Sequence, residues 1–352
     1  MPSYQSTPTA RLDGTMRLAL FGASLAWFAA SQSIAGSAAR GLARRFALAD
    51  EQTLITTILM LFLLAVGFSV LQSISGQRSN LRDVLGLPRR ATAAAEWATG
   101  AAIGWGILLL AILPMALAGT LRPQFWIEPR AFWLLSINLL TLAVAALVEE
   151  VAFRGYPYRR LIEAIGPTKA TLSLAILFGL LHALNPQATW SSVLITMLAG
   201  ILLSLGWLRT HALWLSWGLH FAWNASMAIL FGLPVSGIDR FASVIQTRAI
   251  GRHWLTGSSY GPEGAPLTAI AILIGIALLV RLTRDYAWDY TRAPIIAAGY
   301  PVDVAPPAAH VAMEASEQQA QANRPPILIQ ILPVTSQTRS VAPPPIPDTH
   351  SD

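Results

Sequence analysis

Long apolar runs separated by short polar segments occupy most of the chain. Most of these runs approach the ~20 apolar residues that a helix needs to cross a bilayer. The pattern therefore predicts an all-α fold, a polytopic transmembrane helical bundle of about eight spans. The runs cover about residues 16–36, 53–75, 95–118, 132–153, 170–184, 190–207, 212–232 and 266–283.

Polar segments flank this apolar region at both ends. Residues 1–15 form a polar N-terminal tail, and residues 16–290 form the predicted membrane domain. Beyond residue 290 the chain is rich in Pro, Ala and Gln, with prolines in pairs and one triplet. A segment of this composition has too few apolar residues to bury a core, so residues 291–352 are predicted to be a disordered tail.

Composition and charge narrow the class of protein. The chain is 54% hydrophobic and 12% charged, with a mean hydropathy of +0.52, which is typical of a protein whose partner is the lipid bilayer. It contains no cysteine, which excludes disulfides, thiolate metal sites and a cysteine nucleophile. The net charge is +6, but no basic face with interleaved aromatics is evident, so a nucleic-acid partner is not expected.

The distribution of basic residues predicts the orientation in the membrane. If the N-terminus is cytoplasmic, thirteen basic residues fall on the inner side and eight on the outer side. Cytoplasmic loops carry the excess of Lys and Arg, so we expect an integral protein of the bacterial plasma membrane with cytoplasmic N- and C-termini. The inner set is Arg11, Arg17, Arg78, Arg82, Arg89, Arg90, Arg159, Arg160, Lys169, Arg209, Arg281, Arg284 and Arg292. The outer set is Arg40, Arg44, Arg45, Arg122, Arg130, Arg240, Arg248 and Arg252.

A few polar residues interrupt the apolar runs. Glu149 and Glu150 follow the run 132–147, where a charged carboxylate costs roughly 2.5–3.5 kcal/mol on insertion scales. Such residues normally face the protein interior and have a partner. His182 ends another apolar run. With a helical rise of 1.5 Å per residue, Glu149, His182 and a third residue, His220, lie about 15–20 Å from the nearest inner basic residue, so a common depth is predicted.

The residue types suggest a reaction centre. His220 and Asn224 are four apart and therefore share one helix face. A carboxylate with imidazole and amide groups around it can activate water and stabilise an oxyanion. The same set can bind a divalent cation such as zinc, with Glu149, His182 and His220 as ligands. The sequence leaves both alternatives open, because it contains no HExxH zinc motif and no P-loop motif.

Three short motifs resemble a known family. Residues 149–154 read EExxxR, residues 178–182 read FxxxH, and residues 220–224 read HxxxN. In this order they look like the signatures of the CPBP family, the CAAX proteases and bacteriocin-processing enzymes, also called the Abi family. Each motif is weak alone, but three in order within apolar runs form a specific signal. The similarity covers about residues 130–232.

The resemblance implies a glutamate-dependent or metal-type intramembrane endopeptidase that cuts a membrane-associated protein or peptide. By position, Glu149 would activate water, and His182, His220 and Asn224 would hold the water or the oxyanion. Glu150 and Arg154 would form a supporting i, i+4 pair. We expect substrate to enter laterally or through a cavity open to the cytoplasm.

Two other classes of function stay open at the level of the sequence. One is a non-enzymatic membrane scaffold or an immunity-type binding protein that uses the same fold without catalysis. The other is a proton-coupled transporter that uses the intramembrane carboxylates as a relay.

Overall fold

A computed structural model describes residues 13–76, 79–283, 316 and 319. The predicted disordered tail, 291–352, lies outside the described residues except for 316 and 319, and so does most of the predicted N-terminal tail. The chain divides into two units, Met1–Pro307 and Ala308–Asp352. The first unit holds the membrane domain.

Most of the described residues are helical, and each of the eight predicted apolar runs coincides with a helix. The helices are α1 Gly14–Phe46, α2 Gln52–Ile74, α3 Leu81–Leu85, α4 Ala93–Leu117, α5 Pro129–Arg154, α6 Tyr156–Ile165, α7 Pro167–His182, α8 Trp190–Thr210, α9 Trp214–Ala225, α10 His253–Thr256 and α11 Pro266–Leu282. A π-helical turn, Ser226–Leu230, extends α9.

The described helices form a membrane bundle, as predicted. Five helical segments within the described ranges are long and apolar enough to cross a bilayer: α1, α2, α4, α5 continued by α6, and α8. The helices α7, α9 and α11 are shorter. The number of eight spans therefore stays a prediction.

One element of the fold is not helical and is not predicted by the sequence analysis. Strand β1, Leu121–Phe125, pairs with strand β2, Ile245–Ala249, in an antiparallel ribbon. Strand β2 belongs to the long loop 231–265, and the segment 183–189 contacts this loop through the hydrogen bond from Asn185 Nδ2 to the Ser236 carbonyl. We call the ribbon, this segment and this loop together the ribbon end. The opposite end of the bundle, which we call the α6 end, consists of α3, α6 and the turn 211–213.

Hydrogen bonds join the parts of the α6 end. The Leu213 N–H donates to the Gly86 carbonyl over 2.8 Å, which links the start of α9 to the end of α3. The Arg17 guanidinium in α1 donates to the Glu163 carbonyl of α6 over 2.6 Å. The start of α1 therefore lies at the same end of the bundle as α6.

Local sequence explains where the site-bearing helices end and how closely they pack. Gly155 breaks the helix after Arg154, because its backbone leaves the helical region and a Cβ there would lie 2.4 Å from the Val151 oxygen. In α4, a Cβ on Gly100 would lie 2.0 Å from the Leu215 oxygen of α9. Glycine at this contact lets the two backbones touch, which fixes α9 and the polar residues it carries.

Candidate active site

Two adjacent carboxylates near the end of α5 lie in different surroundings. The Glu149 side chain is 34% exposed and lines a cavity of about 570 Å³. The Glu150 side chain is fully buried beneath that cavity. Consecutive residues on a helix point about 100° apart, so α5 presents one acid to the cavity and the other to the protein interior.

Glu150 is held in a buried network. The Arg154 Nη1 atom lies 3.2 Å from Glu150 Oε1, which is the i, i+4 pair that the sequence predicts. The other Arg154 nitrogen, Nη2, donates to the Gly200 carbonyl of α8 over 3.3 Å. His220 Nδ1 donates to the same Glu150 Oε1 over 2.9 Å. The network therefore ties α5, α8 and α9 together beneath the cavity.

His220 connects this network to the cavity. Because Nδ1 gives its hydrogen to the Glu150 carboxylate, the other ring nitrogen, Nε2, faces Glu149, with 3.7 Å between Nε2 and Oε2. Glu149 Oε2 accepts no hydrogen bond from any part of the chain that the structure describes. An imidazole nitrogen and a carboxylate oxygen thus approach each other at the cavity wall.

The two histidines share an aromatic neighbour. The ring of Phe178 lies 4.5 Å from the His182 ring and 6.4 Å from the His220 ring, measured between centroids. The Arg154 guanidinium stacks over Phe178 at 4.4 Å, which adds a cation–π contact. His182 Nδ1 donates to the Phe178 carbonyl over 2.8 Å, so in the neutral ring Nε2 is left as an acceptor. Phe178 therefore positions both imidazoles.

The cavity brings four predicted residues into one space. Glu149, His182, His220 and Asn224 all line it. Glu150 and Arg154 are absent from its wall, consistent with the supporting role that the resemblance implies.

The metal alternative gains no support from the geometry. A catalytic zinc site needs three converging protein ligands. Among the described residues, no group of three or more His, Cys, Asp or Glu side chains is arranged to hold a metal ion. Glu149, His182 and His220 therefore do not fit a metal ion as they stand, and the predicted divalent cation stays a prediction.

A second acid, Glu263, lines the cavity and is not among the predicted site residues. Glu263, in the loop 231–265, accepts hydrogen bonds from Trp223 Nε1 over 2.8 Å, from Ser236 Oγ over 2.8 Å and from the Ser236 N–H. Burial, and then the nearby Glu263 carboxylate, raises the pKa of Tyr260 to about 12. Glu263 lies in a loop outside the three motifs, where one acid among polar residues carries no signal of its contacts.

Together the helices and the buried acid–imidazole pair define a helical membrane protein with a polar site inside its bundle. A family model described as type II CAAX prenyl endopeptidase Rce1-like matches residues 131–226, the segment that contains all six predicted site residues. This match confirms the resemblance to the CPBP family and supports a protease role with a membrane-associated protein substrate. No curated protein and no solved structure gives a match.

Proposed function

We propose that the protein is an intramembrane endopeptidase in which Glu149 activates a water molecule for attack on a peptide carbonyl. The observation that carries the proposal is the 3.7 Å approach of Glu149 Oε2 to His220 Nε2 at the cavity wall. The Oε2 atom is buried, so we propose that a small shift of the Glu149 side chain admits a water molecule that bonds to both atoms.

The reaction needs only groups that line the cavity. Glu149 takes a proton from water as the oxygen attacks the carbonyl carbon of the peptide bond. The C–N bond then breaks, and Glu149 returns the proton to the leaving nitrogen. Asn224 is the better donor to the oxyanion, because a neutral His182 that gives its Nδ1 hydrogen to Phe178 has only an acceptor left.

The buried network supports this reaction without joining it. Glu150 holds His220 in the tautomer that turns Nε2 toward Glu149, as a carboxylate does for the histidine of a serine protease. Arg154 compensates the charge of Glu150. The reactive geometry is therefore fixed before substrate binds, which lowers the cost of reaching the transition state.

The test compares cells that carry wild-type protein with cells that carry Glu149→Gln. This substitution keeps size and polarity but removes the base. We expect membrane proteins or peptides that are cut in the wild type to remain uncut in the variant. Glu128→Gln is the matched control, since Glu128 is an exposed acid that precedes α5 and lies away from the cavity. An identical cleavage pattern with folded Glu149→Gln would remove the mechanism.

The same variant separates the two other classes of function. A partner-binding phenotype that survives Glu149→Gln favours a scaffold or immunity-type protein. Proton-coupled flux in liposomes that Glu149→Gln abolishes favours a transporter.

A further inference from the structure

The cavity belongs to one half of the bundle. Its wall includes residues 178–182 of α7, residues 195–203 of α8, residues 219–224 of α9 and, from the first half of α2, Thr56, Thr57 and Met60. Residues of the loop 231–265, among them Ser236 and Arg240, complete the wall. No described residue of α3, α6 or the turn 211–213 lines the cavity.

A layer of large side chains closes the cavity toward the α6 end. Tyr156, Tyr158 and Trp207 each expose 1% of their surface or less. Tyr158 contacts the Trp207 ring at 5.1 Å between centroids, and its hydroxyl bonds to Thr171 Oγ1 over 2.5 Å. Buried Arg154 lies in the same closed half of the bundle. A polypeptide cannot pass through this layer without unpacking it.

The cavity reaches the surface at the ribbon end, and exposed Gln32 in the middle of α1 also lines it. Leu184, which follows α7 and lines the cavity, is 83% exposed. Arg240 lines the cavity from the loop 231–265 and is also exposed. The cavity wall therefore continues to the surface at this end.

The direction of the chain relates this opening to the membrane. The start of α1 lies at the α6 end, as its contact with Glu163 shows. The sequence count of thirteen basic residues against eight predicts that the side on which α1 starts is cytoplasmic. The α6 end then faces the cytoplasm, and the ribbon end faces the other side.

We propose that substrate reaches Glu149 from the non-cytoplasmic face of the membrane, through the opening beside Leu184 and Arg240. This inference rests on the proposed function, because a substrate exists only if the protein is an endopeptidase. It names the substrate class as a membrane-anchored protein or exported peptide whose scissile segment lies on the outer side. It differs from the expectation of a cavity open to the cytoplasm, and it is compatible with the expectation of lateral entry.

The absence of cysteine makes the access route measurable. Single cysteines are introduced at Leu184 in the opening, at Gln246 on exposed β2 as a second reporter of the ribbon end, and at exposed Ser79 next to α3 as the reporter of the opposite end. A membrane-impermeant maleimide is added to right-side-out and to inside-out vesicles of the full chain.

We expect Leu184→Cys and Gln246→Cys to react in right-side-out vesicles, and Ser79→Cys to react only in inside-out vesicles. If either ribbon-end reporter reacts only in inside-out vesicles, the proposal is overturned. The second reporter keeps the test decisive if Leu184→Cys does not fold.

Blocking the opening tests whether substrate uses it, with the cleavage rate as the readout. A bulky maleimide on Leu184→Cys, added from the outside, should reduce cleavage at least tenfold, whereas the same label on Gln246→Cys should leave cleavage unchanged. Undiminished cleavage with labelled Leu184→Cys contradicts the route. Labelling itself does not require catalysis, so full activity of Glu149→Gln would remove the proposed mechanism and leave the assignment of the opening intact.

Discussion

The wall of the cavity and the buried network beneath it meet at two consecutive glutamates of α5. In the buried network, Glu150 is fully buried and is bound by Arg154 and His220. In the wall, Glu149 is one-third exposed and has His220 Nε2 as a neighbour at 3.7 Å. The residue type and the helix are the same, so the different roles that we propose for the two acids rest on their surroundings. A carboxylate enclosed by donors holds geometry, whereas one that faces a cavity can accept a proton.

His220 joins the two regions, so its removal should have the largest effect. His220→Ala takes away the neighbour of Glu149 and the donor to Glu150. We expect the cleavage rate to fall by roughly 10²–10⁴, and the free energy of unfolding to fall by about 1–3 kcal/mol because a buried acceptor loses its donor. His253→Ala is the matched control, since His253 bonds to Ser191 at the ribbon end. A His220→Ala variant that cleaves at the wild-type rate would show that His220 does not support Glu149.

Arg154→Met tests the contribution of the buried network to stability. The substitution keeps an extended apolar side chain over Phe178 but leaves the Glu150 charge without its cation. Breaking a buried ion pair from one side costs about 3–5 kcal/mol. Denaturation in detergent should therefore show a clear loss of stability. Wild-type stability of this variant would mean that the buried network does not hold the site together.

Substitution of Glu263 tests whether this acid holds the loop 231–265 against α9. Glu263→Ala leaves the Trp223 and Ser236 donors without their acceptor, which should cost about 1–3 kcal/mol. Glu263→Gln keeps one acceptor oxygen and should lose less. Hydrogen exchange of the loop is the measurement, and equal exchange in the wild type and Glu263→Ala would show that this acid does not fasten it.

The smallest effect is expected at the surface. Arg130 pairs with Asp50 at 3.1 Å, but the arginine is 72% exposed. Exposed pairs contribute about 0.2–1 kcal/mol, so Arg130→Ala should leave stability and cleavage nearly unchanged. A loss as large as that of Arg154→Met would show that burial does not separate the two kinds of ion pair.

Hydrophobic patterning predicts the helices well, because a bilayer demands apolar runs of fixed length. The same reasoning marks Glu149, Glu150 and the two histidines, since polar groups in such runs are costly. It does not predict which glutamate faces the cavity, because that depends on the rotation of α5 against α9. The β ribbon and the contacts of Glu263 also escape it, because pairing between distant loops leaves no periodic signal.

One paired measurement tests whether the neighbouring carboxylates of α5 perform different tasks. Purified Glu149→Gln and Glu150→Gln are compared with the wild type for cleavage rate and melting temperature. We predict that Glu149→Gln is inactive but melts at the same temperature as the wild type, whereas Glu150→Gln melts at a lower temperature. Full cleavage by a folded Glu149→Gln variant would contradict this prediction.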